Sequence, residues 1–328
     1  MIMNSSEIEI TAIELADKKI EVLKSKTLVC HNALITARYE MTVAEKDIVY
    51  MLMAQLSEED PIEKVYCIYV QDIEKLTGKD INYKNFEKNT MKLVTRGYRI
   101  KEGKDILQVC LVSSVRHIKG QGKIELRIDP GMRPYLFNLK REFTKHGLFM
   151  AISLQSIYSR RLYEMLCQFK NTGFMRISVD ELKDRLCILD PVTGKDKYAN
   201  WSDFTRKVIE VAKRELEKHT DINFTYTGAK RGRKYTNLEF NINYQQKNLA
   251  LPEVKNGKEM LYNRLTERHK LSKWQTDLIL KKIPEPEIHK ILYDIQVKNI
   301  NGEIKNIGCF TANTFETTHK IGLLGKII

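Results

Sequence analysis

The chain is expected to be an α+β protein, mainly α. One unit of helix, short strand, two helices and hairpin is used twice, before a small, mostly helical extension. Three observations point there. Residues 200–244 read as a basic helix followed by a two-stranded hairpin with a cationic tip. Residues 42–128 run through the same order of elements. The two stretches can also be laid on each other as a long internal repeat. Tyr50, Leu52, Met53 and Gln55 fall opposite Tyr163, Met165, Leu166 and Gln168, and Ile68, Val70 and Ile73 opposite Ile177, Val179 and Leu182. Asn82-Tyr83, Phe86, Lys88 and Arg96 match Asn200-Trp201, Phe204, Arg206 and Arg214. A helix-turn-helix closed by a hairpin is a winged helix. The fold class is therefore two tandem winged-helix domains related by internal duplication.

In chain order, residues 1–26 form an N-terminal arm, with a short helix over about Thr11–Lys24 or a frayed end as the two readings. Leu28 to Ile35 is an apolar segment. Thr42 and Glu45 make a capping box for a helix carrying Ile48, Val49, Leu52, Met53 and Leu56. Val65–Tyr69 is β-rich, Val70–Leu76 is a second helix stopped near Gly78, and Tyr83–Arg96 is a third, with Gly97 as its C-terminal cap. Strands follow around Leu107–Val115 and Lys123–Ile128, joined through Gly120-Gln121-Gly122. Pro130 and Pro134 break the wing, and Tyr135–Phe143 reads as a connecting helix.

The second unit has a helix over about Leu154–Lys170, a strand Phe174–Ile177 and a helix Val179–Leu186. A polar loop leads to the helix Trp201–His219, whose buried face is Phe204, Val208, Val211, Ala212 and Leu216. Phe224 and Tyr226, then Leu238, Phe240 and Ile242, alternate with polar residues as paired strands do. After Tyr244 a polar linker, Gln245–Gly257, leads into helices near Met260–Leu265, Trp274–Lys282, Ile288–Val297 and Thr311–His319. Pro284 and Pro286 punctuate them, and Asn299–Gly308 is loop-like. The domains run 27–140, 141–247 and 248–328. The last is either a small helical module or a partner-binding extension.

Composition narrows the function. Lys and Arg number 55 against 42 Asp and Glu, a net charge of +13 that favours a polyanionic partner. The six cysteines, at 30, 67, 110, 167, 187 and 309, form no CxxC pair and read as reduced residues of a cytosolic protein. No apolar run is long enough to span a membrane, and Glu7, Glu9, Glu14 and Asp17 make the N-terminus too acidic for a signal peptide. No two of the seven histidines lie two residues apart, no His-x-x-Arg box occurs, and there is no phosphate-binding GxxxxGK[ST] loop. Asp72, Glu74 and Asp80 read better as a solvated helix face than as a metal cluster. The expectation is a binding protein with no catalytic residues, no metal and no cofactor.

Geometry nominates the DNA contacts. A helix-turn-helix puts the start of its last helix on base edges, which selects Ser202, Asp203, Arg206 and Lys207, with Arg206 suited to guanine. Lys213 and Arg214 lie further along, toward phosphate. Lys230, Arg231, Arg233 and Lys234 are wing contacts to backbone or minor groove. Lys84, Asn85, Lys88 and Lys92 play the helix part in the first domain. Arg160 and Arg161 open the first helix of the second domain, where one could grip phosphate while Arg161 could instead pack structurally. The plain alternative is a surface helix with a solvated loop.

The stretch from Lys26 to about Tyr244 resembles the two-winged-helix replication initiators of theta-replicating bacterial plasmids, the iteron-binding Rep proteins. Three blocks carry the resemblance in order. The first opens at Leu28 and includes Asn32-Ala33-Leu34. The second holds Ser156, Tyr158-Ser159, Arg161-Leu162-Tyr163-Glu164 and Leu166. The third holds Tyr198, Phe204, Val208, Ala212, Glu215, Thr220-Asp221, Lys230, Gly232 and Arg233. Cys30-His31 and Leu216-Glu217 depart from the family pattern. The resemblance implies binding to direct repeats at a plasmid origin, both winged helices entering successive major grooves. It further implies melting of AT-rich DNA and recruitment of host helicase and initiator proteins in the bacterial cytoplasm. A homodimer joined through the first domain would bind an inverted repeat and repress the initiator's own gene. A dedicated winged-helix repressor is the near alternative, and a basic module for protein or RNA the distant one.

Overall fold

The computed structural model describes residues 17–190, 192–245, 261–300 and 304–324. Most of the N-terminal arm and most of the linker after Tyr244 lie outside them; residues 17–24 are helical (α1). Strand β1 (Thr27–His31) is followed by α2 (Asn32–Thr36), whose N-terminus is capped by the His31 ring. Helix α3 (Val43–Met53) carries the expected box, with the Glu45 amide donating to Thr42 Oγ1 at 3.2 Å and the Thr42 amide donating to Glu45 Oε2 at 3.0 Å. Then come β2 (Tyr66–Tyr69), α4 (Val70–Thr77) and α5 (Tyr83–Thr95), the last capped by Asn82.

After α5 the chain departs from expectation. Gly97 does not cap the helix. Arg96 is already extended, and Gly97 opens a strand, β3 (Gly97–Glu102), that pairs with β4 (Asp105–Cys110). What read as one strand over Leu107–Val115 is two, β4 and β5 (Val112–Ile118), because Leu111 turns into the core at the corner. Strand β6 (Lys123–Ile128) completes a three-stranded sheet of order β2-β6-β5. The connecting helix over Tyr135–Phe143 is also absent. A 3₁₀ turn, Pro130–Tyr135, ends as Leu136 and Phe137 bury. Asn138 and Glu142 sit at φ 54° and 50°, which no right-handed helix contains. Phe143–Gly147 is strand β7, antiparallel to β1.

The helix expected over Leu154–Lys170 is α7 (Ile157–Gln168), and a short helix not expected from the sequence, α6 (Leu148–Ser153), precedes it, with Leu154 extended between them. Glu215, on a later helix, accepts from the amides of Gln155 and Ser156 at 2.8 and 3.1 Å, which satisfies donors at the start of α7. Strand β8 (Phe174–Ser178), α8 (Val179–Arg185) and the long helix α9 follow. α9 is made of Trp201–Phe204, a π turn Thr205–Ile209 and Glu210–His219. Strands β9 (Ile222–Arg231) and β10 (Lys234–Tyr244) close a sheet of order β8-β10-β9. In both winged helices the short strand pairs with the second strand of its own wing. The shared topology is what a duplicated unit produces.

Beyond residue 260 a separate unit packs on its own core of Leu265, Ile279, Ile288, Ile295, Phe315 and Leu323. It consists of α10 (residues 261–268, ending in a π turn), α11 (Lys273–Lys282), α12 (Glu285–Ile300) and α13 (Ile307–His319). Pro286 sits in the first turn of α12, where a missing amide costs nothing.

The two winged helices share one apolar core, and buried charges cross it between α3 and α7. Lys46 Nζ lies 2.8 Å from Glu164 Oε1, and Arg160 Nη1 lies 2.6 Å from Asp47 Oδ1. Arg160 also donates to the carbonyls of Leu154, Val43 and Ile152 at 2.8, 3.1 and 2.9 Å. Arg161 donates to Ala37 O at 2.9 Å and lies 3.3 Å from Glu164 Oε2. Tyr50 donates to Glu164 Oε1 at 3.0 Å. Burial opposes charge on Glu164, but Lys46 and Arg161 outweigh it and hold the carboxyl at about 2. His146 stands 4.0 Å from the same carboxylate, and burial holds it neutral, lowering it to about 4.

Two consequences are measurable. Glu164→Gln strands Lys46 and Arg161 and should cost about 3–5 kcal/mol in a denaturant titration at neutral pH. In the wild type, acid acts in two windows. Between pH 6.5 and about 4 the unfolded chain takes up protons that folded His146 and His269 refuse, so stability falls with pH. From 4.5 to about 2 the contribution of Glu164 is lost in turn, and Glu164→Gln should make the fall in that second window shallower. A Glu164→Gln curve that still falls as steeply there would contradict the assignment.

Candidate nucleic-acid interface

Helix α9 positions the second domain's candidate contacts, and its π turn follows from the sequence. Phe204, Val208, Ala212 and Leu216 are all fully buried and stand four residues apart. In a regular α-helix such a row drifts by about 40° at each step and leaves the core. A wider turn absorbs the drift: the Glu210 amide donates to Thr205 O, five residues back. The same turn corrects the expected buried face. Ile209 is fully buried, whereas Val211 is only half-buried.

The outer face carries the expected polar residues. Ser202, Arg206, Lys207 and Arg214 are exposed, and Asp203 and Lys213 are half-exposed. Asp203 Oδ1 accepts from Arg206 Nη2 at 2.8 Å and lies 3.5 Å from Lys207 Nζ. The Arg206 hydrogen bond, with Lys207 beside it, holds the Asp203 carboxyl below the usual range. The Arg206 side chain stays 71% exposed, so the guanidinium is pre-aimed yet open to a partner. Lys197, just before the helix, is exposed and donates to Tyr158 OH at 3.1 Å. Sequence reading passed over it.

The wing is a hairpin with Gly232-Arg233 between the paired residues Arg231 and Lys234. Gly232 has φ 65° while Arg233 keeps a negative φ, the pattern of a hairpin turn with glycine at its first corner. Lys230, Arg231, Arg233 and Lys234 are all exposed at this tip. The wing root is tied to α9 by Tyr226, which donates to Glu210 Oε1 at 2.8 Å. In the first domain Lys84, Asn85, Lys88 and Lys92 are exposed on α5, with Lys92 Nζ 3.9 Å from Glu45. Arg116 and Arg127, on β5 and β6, are exposed wing cations the sequence reading missed. The period-two pattern of Lys123–Ile128 offered the signal.

Arg160 and Arg161 are corrected. Their side chains are 0% and 3% exposed, and both guanidiniums are spent on the buried charges between α3 and α7. Neither can reach phosphate. Among the described residues no cluster of three or more His, Cys, Asp and Glu could hold a metal, and no helix is long and apolar enough to cross a membrane.

Two exposed cationic helices, each the last helix of a helix-turn-helix and each flanked by a basic wing, define a nucleic-acid-binding class of surface. The chain matches the family models for the initiator replication protein WH1 domain over residues 27–167 and the initiator Rep protein WH2 domain over residues 178–242. It belongs to that family of replication initiators. It is 26% identical over 255 residues to the PI protein of Escherichia coli, across 66% of this chain and 83% of that one. It is 22% identical over 233 residues to an uncharacterised 27.6 kDa protein of Escherichia coli, across 65% and 92% of the two chains. A crystal structure of the Pi initiator protein in complex with iteron DNA matches the fold with a TM-score of 0.59 at 22% identity, covering 68% of this chain and 99% of that one. Residues beyond 242 lie outside both family matches.

Proposed function

We propose that this chain binds duplex DNA by sequence, at direct repeats in a plasmid origin, and so starts replication there. The observation that carries the reading is the arrangement around α9: Arg206 open at the start of the helix and four exposed cations at the tip of the adjoining wing. Helix and wing then divide the work, base edges to the helix and phosphate to the wing. The kinship with an initiator whose crystal structure holds iteron DNA supports direct repeats as the target. Opening of AT-rich DNA, recruitment of host helicase and initiator proteins, a dimer joined through residues 27–140 and repression of its own gene belong to the same proposal. So does the division into domains at 27–140, 141–247 and 248–328.

A selection of bound duplexes from random DNA near 150 mM salt tests this. Tandem direct repeats beside AT-rich sequence are expected. A single inverted repeat before a gene would favour a dedicated repressor, and no enriched sequence would overturn DNA reading altogether. On the selected site, Arg206→Ala should cost about 1–3 kcal/mol and relax preference at one base position. An equal loss on every duplex would mean Arg206 meets only phosphate. Changing Lys230 and Arg231 together to Ala should weaken all duplexes alike and flatten the plot of log K against log salt by about 1.8. An unchanged slope would remove the wing tip from the contact surface.

A further inference from the structure

The wing of the second domain is fixed to α9 by a built strut. Trp201, the first residue of α9, stacks on Tyr235 with ring centroids 3.9 Å apart and planes 14° from parallel. Tyr235 is the second residue of β10, beside the cationic tip. By strict alternation it should point away from the helix. Leu238, Phe240 and Ile242 face the core, and an odd-numbered residue in phase with them faces out. The ladder shows why it does not. Tyr235 pairs with Lys230, but Asn237 pairs with Ala229, so Thr236 is an extra residue. That bulge moves Tyr235 onto the face shared by Phe224, Tyr226, Gly228 and Lys230.

Two further features fit the same strut. A Cβ on Gly228 would stand 2.8 Å from the Tyr235 ring and 3.2 Å from the Trp201 ring, so only glycine admits the stack. Lys230 Nζ lies 4.6 Å from the Tyr235 ring centroid, a cation over an aromatic face. One wing cation is thereby referenced to the first turn of the helix that holds Ser202 and Arg206.

Resting on the DNA-binding reading above, we propose that Trp201, Tyr235, Gly228 and the Thr236 bulge are positioning residues for sequence discrimination. They lock the wing to the start of α9, so that phosphate contact by the wing sets the depth and angle at which Arg206 meets the bases. They need not touch DNA. Their loss removes no cation from the chain and takes away the coupling between the two sets of contacts.

The test uses the full-length chain and the duplex selected with the wild type, against a scrambled duplex of equal length and composition. Tyr235→Ala, Gly228→Ala and deletion of Thr236 should lower the preference for the selected duplex between about five- and a hundredfold. Their binding to the scrambled duplex and its salt slope should stay near wild type. Tyr235→Phe keeps the ring and should keep the preference. In Tyr235→Ala, amide exchange should quicken over residues 228–236 and stay unchanged in β8 and α7, separating loss of the strut from loss of the fold. A Tyr235→Ala protein that keeps the wild-type preference, or that loses affinity equally for both duplexes, overturns the proposal. A wild type with no preference at all overturns the DNA reading beneath it.

Discussion

The pairing of charges between α3 and α7 is the constraint on which the rest of the structure depends. Lys46, Asp47, Arg160, Arg161 and Glu164 are all buried, and each ion removed from water costs several kcal/mol unless partners replace the lost hydration. Here nearly all the partners are supplied, with Arg161 Nε left without one. Arg160 finds one carboxylate and three carbonyls, and Glu164 is met by Lys46, Arg161 and Tyr50. Such a network is satisfied in one arrangement and costly in any displaced one. The two winged helices are thereby held as one body, and the angle between their recognition helices is a property of the fold rather than of a flexible linker.

Duplication gave the two domains the same plan but not the same fittings. Both sheets place the short strand beside the second wing strand, and both last helices bury a phenylalanine, Phe86 or Phe204, one turn in. The first domain adds the β3–β4 hairpin, and its wing meets α5 through His117, whose Nε2 lies 2.9 Å from Thr90 Oγ1. The second domain uses an aromatic stack, a tyrosine hydrogen bond and a bulge. A wing so tied presents its cations at a defined distance from the helix, as reading bases and phosphates together requires.

Much of this was legible in the sequence because it rests on local pattern. The capping box at Thr42 and Glu45, the helix ends at Gly78 and Thr220, and the strands of the second wing follow from spacing and turn chemistry. The failures have physical causes. Two arginines opening a helix in a basic protein read as phosphate contacts, yet Asp47 lies 113 residues from Arg160 in the chain, and no periodicity reports such a partner. Ile209 replaced Val211 in the core because a row spaced by four asks for a turn wider than 3.6 residues. Tyr235 was missed because a bulge reverses the alternation that strand reading assumes. The exposed cations of α9 and its wing were visible from the spacing of the apolar face and the hairpin pattern. What aims them was not.

The central claim is that two winged helices on one shared core bring two reading heads to one duplex. A hydroxyl-radical footprint of the protein, at a concentration that places one copy on a single selected repeat, tests it most directly. The account predicts two protected patches on the same face of the helix, centred roughly 10 base pairs apart. Glu164→Gln, if it still folds, should blur that spacing and leave each patch in place. One patch, or two patches on opposite faces, would contradict the account.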